Sequence, residues 1–181
     1  MRIAILILFW SLLLYSCREV SYREPQPVGV PSLKEVPQPL RGEYIGIDDE
    51  GKDTATLIVE SWGYHFKDPN EKDWLGRGVI SDSLVIKVYA NYYFVNFRAE
   101  KDIWVLRVLK QKPSGDLEFM SIQVNDDNKG KEMLRKLGKR FAVKEIKLNG
   151  DTFFQIAPTK EQLLQMIKDG FFKKDDLNKV K

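Results

Sequence analysis

The chain has 181 residues, with 29 basic and 26 acidic side chains and a net charge of +3. This length allows one compact domain with appendages rather than two full domains. Charges of both signs are interspersed, so we expect no broad basic surface and no nucleic acid as a partner. The single cysteine, Cys17, rules out an intramolecular disulfide and would give a metal site only one thiolate.

Residues 1–16 begin with one basic residue, Arg2, and continue as an apolar run from Ile3 to Leu14 that only Ser11 interrupts. A short positive start followed by such a run is typical of a secretory signal peptide. The run is well short of the roughly 20 apolar residues that cross a bilayer as a helix. The sequence therefore predicts a signal peptide over residues 1–16 and no permanent transmembrane helix.

The run ends in Leu14-Tyr15-Ser16-Cys17, which resembles a lipobox, the processing signal of bacterial lipoproteins. The resemblance implies cleavage before Cys17 and acylation of its thiol and of the new amino terminus, with membrane lipid as a partner through the acyl chains. Each buried methylene contributes about 0.8 kcal/mol, so two or three chains would hold the protein firmly. Arg18 stands where that family has an aspartate as its inner-membrane retention signal, so the resemblance implies a lipoprotein of the cell outer membrane.

Residues 17–40 are predicted to be the lipidated terminus and a proline-rich tether. This composition favours an extended polyproline II segment of about 3.1 Å per residue. An alternative is that the later part of the segment lies on the folded domain, where Val36 and Leu40 could pack. The prolines of the segment are Pro25, Pro27, Pro31, Pro37 and Pro39.

Residues 41–172 are predicted to form one β-rich domain, because short apolar runs alternate with turn residues as in an antiparallel meander. Two short helices are predicted over 131–140 and 160–169, the second with a capping box from Thr159 and Gln162. Residues 173–181 are predicted to be a frayed, charged tail. The predicted strands are 42–48, 54–61, 62–67, 78–88, 91–98, 102–110, 116–125, 141–148 and 152–157.

The expected fold class is mainly β with two short helices (α+β), as a partly closed barrel or as a strongly bent sheet with a helix packed on it. Leu40-Arg41-Gly42-Glu43-Tyr44 resembles the opening Gly-x-aromatic of lipocalin-like small barrels, and this resemblance implies the barrel form. Tyr92 to Val95 and Ile103 to Val108 are apolar on both faces, so the strands that contain them are expected to be central or to be covered on the second face by another element.

No catalytic, cofactor-binding or metal-binding residue is assigned, and the protein is expected not to be an enzyme. His65 is the only histidine, and the chain has neither a Gly-x-Ser-x-Gly nucleophile turn nor a glycine-rich phosphate loop. His65 is therefore interpreted as a strand residue. The acidic clusters Asp48-Asp49-Glu50 and Asp126-Asp127-Asn128 lack the later glutamate of a calcium loop and are interpreted as solvated turns.

Aromatic side chains are the remaining candidates for ligand or partner contact. They are Trp74, in a loop with Arg77, and also Trp62 and Tyr92; packing in the domain core is the competing interpretation for the tryptophans. The expected function is a non-enzymatic binding or interaction module for a small apolar ligand, a glycan or an envelope protein. Two alternatives stay open, a glycan hydrolase that uses a carboxylate pair and a structural subunit of an envelope complex.

Overall fold

The structure, a computed structural model, describes residues 18–47, 53–67 and 76–180. The predicted signal peptide, Cys17, the cluster Asp48-Asp49-Glu50 and Trp74 lie outside the described residues. The described part forms one twelve-stranded sheet with two α-helices, which confirms the mainly β class. The sheet is strongly bent and is not closed into a barrel.

The strands are β1 (Arg18–Tyr22), β2 (Gly42–Ile47), β3 (Asp53–Glu60), β4 (Gly63–Phe66), β5 (Arg77–Val79), β6 (Leu84–Tyr89), β7 (Tyr92–Glu100), β8 (Ile103–Gln111), β9 (Leu117–Ser121), β10 (Lys144–Leu148), β11 (Asp151–Ile156) and β12 (Lys173–Lys179). The helices are α1 (Asn128–Gly138) and α2 (Lys160–Lys168).

Nine strands follow one another across the bent part of the sheet in the order β6-β7-β8-β9-β12-β2-β3-β4-β5. Every neighbouring pair in this series is antiparallel. Among the strands of the described residues, β5 pairs only with β4, and β6 pairs only with β7. These nine strands therefore form an open curl, which has its gap between β5 and β6.

Strand β8 is the branch point of the sheet. One of its edges bonds to β7, and the other is shared between β1, at Trp104 and Val105, and β9, from Val108 to Gln111. Beyond β1 the sheet continues through the parallel neighbour β11 to β10. Both strands that are apolar on two faces, β7 and β8, are thus central, as predicted.

The larger part of the core lies between β8 and the two helices. Trp104, Leu106 and Val108, alternate residues of β8, face a cluster that includes Leu137 of α1 and Leu163 of α2. Alternation along the strand puts these three side chains on one face. The bent sheet with helices packed on it is therefore the form that the sequence adopts.

Local signals place the helix starts. The Thr159 N–H donates to Gln162 Oε1 at 2.8 Å and the Gln162 N–H donates to Thr159 Oγ1 at 3.2 Å, so the predicted capping box begins α2. Helix α1 begins three residues earlier than predicted, because Asp127 accepts a hydrogen bond from the Gly130 N–H at 2.7 Å and caps it. The neighbouring Asp126 pairs with Arg18 at 2.9 Å.

Residues 23–40, which we call the strap, are part of the fold, and the prediction of a free tether is wrong for them. The Gln26 N–H donates to Asn96 Oδ1 at 2.7 Å, and Asn96 Nδ2 donates to the Gln26 carbonyl at 2.8 Å. Lys87 Nζ donates to the carbonyls of Pro25 and Pro27 at 2.7 and 3.0 Å. Side chains of β6 and β7 thus satisfy the backbone of a segment that has no apolar periodicity of its own.

The later half of the strap lies along β6 and then crosses to the turn between β3 and β4. The Leu33 N–H donates to the Ile86 carbonyl and the Val36 N–H donates to the Ser61 carbonyl, both at 2.8 Å. Val36 is 2% exposed and Leu40 is 1% exposed. This half therefore follows the alternative in which Val36 and Leu40 pack on the domain.

The prediction of a frayed tail is wrong for residues 173–179, because they form β12 between β9 and β2. Two charged side chains of β12 lie at exposed positions and are paired, Lys174 with Glu118 at 3.0 Å and Asp176 with Lys112 at 2.7 Å. Leu177 packs into the apolar cluster inside the curl. Lys174 and Asp176 therefore lie on one face of β12 and Leu177 on the other, as alternation along a strand requires.

Candidate ligand-binding cavity

An apolar cavity of about 270 Å³ lies inside the curl of the sheet. Because strand side chains alternate between faces, every second residue of the surrounding strands points inward. Val36 and Leu40 of the strap also line the cavity, so the segment predicted as a tether supplies part of its wall. The strand residues that line it in pairs are Leu57 and Val59, Leu84 and Ile86, and Val95 and Phe97.

Arg107 is the one charged residue among the described residues that line this cavity. It lies on β8, on the same face as Val105 and Leu109, and it is 8% exposed. Its Nη2 lies 2.7 Å from Glu19 Oε1, and its Nη1 donates to Glu19 Oε2 at 3.3 Å and to the Leu106 carbonyl at 3.1 Å. A two-point pair of this kind fixes the orientation of both side chains.

A second cavity of about 350 Å³ lies on the other side of this ion pair. Glu19 lines it together with Arg98, Asn149 and Asp151, so its wall is far more polar than that of the first cavity. Arg107 lines one cavity and Glu19 lines the other. The pair therefore joins the walls of two cavities, and the one that Glu19 lines is the more polar.

Two of the predicted contact residues, Trp62 and Arg77, meet on the outer surface of the sheet. The Arg77 guanidinium carbon lies 5.1 Å from the centroid of the Trp62 ring. The His65 ring stacks on Trp62 at 5.8 Å with an interplanar angle of 4°, and Trp62 Nε1 donates to the Glu60 carboxylate. These contacts leave Trp62 half-buried on the surface, outside the apolar cavity.

Tyr92, another predicted contact residue, lies on the helix-facing side of β7. Its ring meets Phe94 edge to face at a centroid distance of 6.4 Å, and Lys110 Nζ lies 5.7 Å from its centroid. Tyr92 therefore lines neither cavity, and it is not brought together with Trp62 and Arg77.

Sequence reasoning missed Arg107, although the chain carries a signal for it. An arginine inside the apolar run from Ile103 to Leu109 must be buried on one face of the strand or the other. Buried charges are rare unless they are paired, so the run itself predicts a partner carboxylate. Nothing in the pattern identifies that partner as Glu19, 88 residues away.

Tyr44, fully buried beside the cavity cluster, gives the fold a testable pH dependence. Its hydroxyl donates to the Leu40 carbonyl at 3.0 Å, and burial, assisted by the negative charge of Asp116, raises its pKa from 10.0 to about 12. Because the folded-state pKa is the higher one, the stabilisation is complete below pH 10 and is lost as the pH rises towards 12.

Between pH 10 and pH 12 we expect the free energy of unfolding of the wild type to fall by about 2 kcal/mol more than that of Tyr44→Phe. Urea unfolding followed by circular dichroism at several alkaline pH values measures the difference. Phe119→Leu, which changes the cavity wall without removing an ionisable group, is the control and should keep the wild-type slope. Equal slopes for wild type and Tyr44→Phe would contradict the prediction.

The described residues contain no group of three or more His, Cys, Asp or Glu side chains that could hold a metal ion. Of the two helices in the same part of the chain, neither has the length and apolar composition needed to cross a membrane.

Comparison of the chain with protein-family models, with curated proteins and with solved structures finds no match in any of the three. The cavity is therefore interpreted from its own geometry.

Proposed function

We propose that this protein is a non-enzymatic binding module that takes a small apolar ligand into the cavity inside the bent sheet. The observation that carries the proposal is the cavity of about 270 Å³, whose wall is apolar apart from Tyr64 and the one charged residue, Arg107. Its volume is close to the lower end of the range of about 300–1,000 Å³ that is usual for ligand pockets. Lining atoms around an empty space lack contact partners, and an apolar ligand would supply them.

The size of the cavity limits the ligand. An apolar cavity of about 150 Å³ stays dry and accepts benzene, a ring of about six non-hydrogen atoms. By the same ratio, 270 Å³ has room for about ten non-hydrogen atoms. We therefore expect a small ring with a short side chain, or a short alkyl chain, rather than a long-chain lipid.

We further propose that the module is a lipoprotein of the bacterial outer membrane, anchored by acyl chains on Cys17. The support is the lipobox resemblance of residues 14–17. Strand β1 begins at the very next residue, Arg18, so the anchored domain would lie close to the bilayer instead of at the end of a long tether. Ligands that partition into the membrane would then be concentrated near the cavity.

The anchor is tested by metabolic labelling with a fatty-acid probe. We expect the full chain to be labelled, Cys17→Ala to lose the label, and Ser16→Ala, which keeps a small residue before the cysteine, to retain it. Label that persists on Cys17→Ala would show that Cys17 is not the acylated residue.

The cavity is tested by filling it. Val59 lines the cavity, so Val59→Trp should occupy the space and weaken the binding of n-butylbenzene by at least about tenfold. Val79→Trp makes the same exchange at a position that is 47% exposed and should bind like the wild type. The dissociation constants come from calorimetry, with the ligand-induced rise in unfolding temperature as a second measurement.

Unchanged binding by a folded Val59→Trp would place the ligand elsewhere and contradict the proposal. If Val59→Trp does not fold, Leu109→Phe provides a smaller filling substitution at another residue of the same wall. The same loss of binding is expected for it, to a lesser degree.

A further inference from the structure

We propose that the cavity selects a neutral ligand with one hydrogen-bond-accepting oxygen, such as a ketone, and that Arg107 binds this oxygen with the N–H groups that Glu19 leaves unused. The inference rests on the proposed function, because it assigns the chemical class of the ligand for the same cavity. It follows from the donor count of Arg107, from the charge of its surroundings and from the size of the space.

The donor count leaves one edge of the guanidinium without a partner. The group has five N–H donors in one plane. Both N–H groups of Nη1 are used, by Glu19 Oε2 and the Leu106 carbonyl, and one N–H group of Nη2 is used by Glu19 Oε1. Nε–H and the second N–H of Nη2 make no hydrogen bond to any other residue in the described ranges. These two groups are neighbours, and together they can hold one oxygen.

Arg107 lines the apolar cavity, so a ligand there can reach this side chain. Hydrogen bonds from a charged donor are stronger than those from a neutral one, and a low local dielectric strengthens them further. A ligand with an oxygen at one end therefore gains a polar contact that a pure hydrocarbon of the same size does not.

The charge of the site favours a neutral ligand over an anion. The Arg107 and Glu19 side chains are only 10% and 14% exposed, and their charges cancel. A carboxylate ligand would add a second negative charge in an apolar space where no other described residue of the wall is a cation. Burial of an unpaired charge is strongly unfavourable, and displacement of Glu19 would leave that carboxylate buried without its partner.

Three compounds of about ten non-hydrogen atoms, the size the cavity accepts, separate these cases. They share a benzene ring and differ in the second group: n-butylbenzene has an alkyl chain, propiophenone has a ketone, and phenylacetate has a carboxylate that is ionised at pH 7. Calorimetry on the full chain gives the three dissociation constants.

We expect propiophenone to bind about three- to tenfold more tightly than n-butylbenzene, and phenylacetate to bind at least about tenfold more weakly than propiophenone. Phenylacetate binding as tightly as the ketone, or equal binding of ketone and alkylbenzene, would overturn the inference while leaving the binding function in place. Failure of all three compounds to bind would overturn the proposed function itself.

A charge variant tests the role of Glu19 directly. Glu19→Gln keeps an accepting oxygen but leaves the positive charge of Arg107 uncompensated, so phenylacetate should bind about tenfold more tightly than to the wild type, and propiophenone within about twofold of it. Asp176→Asn removes an exposed carboxylate that is also paired with a cation, and should leave both constants unchanged. A folded Glu19→Gln that binds phenylacetate no more tightly than the wild type would overturn the inference. If this variant does not fold, the dissociation constants of the wild type for the three compounds test the inference.

Discussion

A chain that ends after Phe172 should fail to fold. Residues 173–179 form β12, which is bonded to β9 on one edge and to β2 on the other. Its removal would expose both of those edges and open the cavity where Leu177 lines it. Each lost hydrogen bond is worth about 0.5–1.5 kcal/mol, and a strand with two partners loses several. The total is comparable to the whole stability of an ordinary domain, about 5–15 kcal/mol.

Circular dichroism and urea unfolding of the shortened chain measure this effect. A chain that ends after Val180 keeps β12 and also the hydrogen bond from the Val180 N–H to the Glu43 carbonyl at 2.9 Å, so it should unfold like the wild type. A cooperative urea transition at the wild-type midpoint in the chain that ends after Phe172 would show that β12 is dispensable.

Removal of one member of the Arg107–Glu19 pair should destabilise the protein more than removal of both. Arg107→Met leaves the Glu19 carboxylate largely buried without its partner, and the loss of one member of such a pair costs about 3–5 kcal/mol. When both side chains are replaced by apolar ones of similar volume, the effect is often neutral or stabilising. We therefore expect Glu19→Met/Arg107→Met to recover most of the stability that Arg107→Met loses.

The three free energies of unfolding come from urea titrations at pH 7. Lys112→Met serves as the comparison, because it breaks an exposed pair with Asp176, and exposed pairs contribute little. A double variant no more stable than Arg107→Met would contradict the prediction. The stability lost in Arg107→Met would then not come from a Glu19 carboxylate left without its partner. The same double variant should also lose the preference for a ketone over an alkylbenzene.

The parts of the fold that could be predicted are those specified by near neighbours in the chain. Strands such as β7 and β8 show themselves as apolar runs between turn residues, and the start of α2 follows from Thr159 and Gln162, which lie three residues apart. The predicted strand over 78–88 is in fact β5 and β6, which residues 80–83 separate. Here the Ser81 N–H donates to the Leu84 carbonyl at 3.1 Å, a tight turn that apolar runs on both sides conceal.

The parts that could not be predicted depend on partners far away in sequence. The strap is held through Gln26 and Asn96, 70 residues apart, and composition alone makes such a segment look like a linker. The charges of β12 make it look like a solvated tail, because its two neighbouring strands are not visible in the pattern of one segment. A local pattern reports which groups need partners and is silent on where those partners lie.

The candidate site, too, can be predicted from the sequence only in part. Alternation along β3 and β6 indicates which of their residues share a face, but it does not distinguish a filled core from a cavity. The aromatic side chains that stood out in the sequence, Trp62 and Tyr92, are used in surface and core contacts. The charged group of the cavity is Arg107, which is inconspicuous in the sequence because its counter-charge comes from β1.

The first and the last strand of the described chain, β1 and β12, constrain the order of folding. Strand β1 pairs with β11, so the start of the domain must wait for residues 152–156, and β2 lacks one neighbour until residues 177–179 pair with it. A domain dominated by such distant pairings folds slowly. During synthesis, residues 173–179 thus control when the gap between β9 and β2 can be closed.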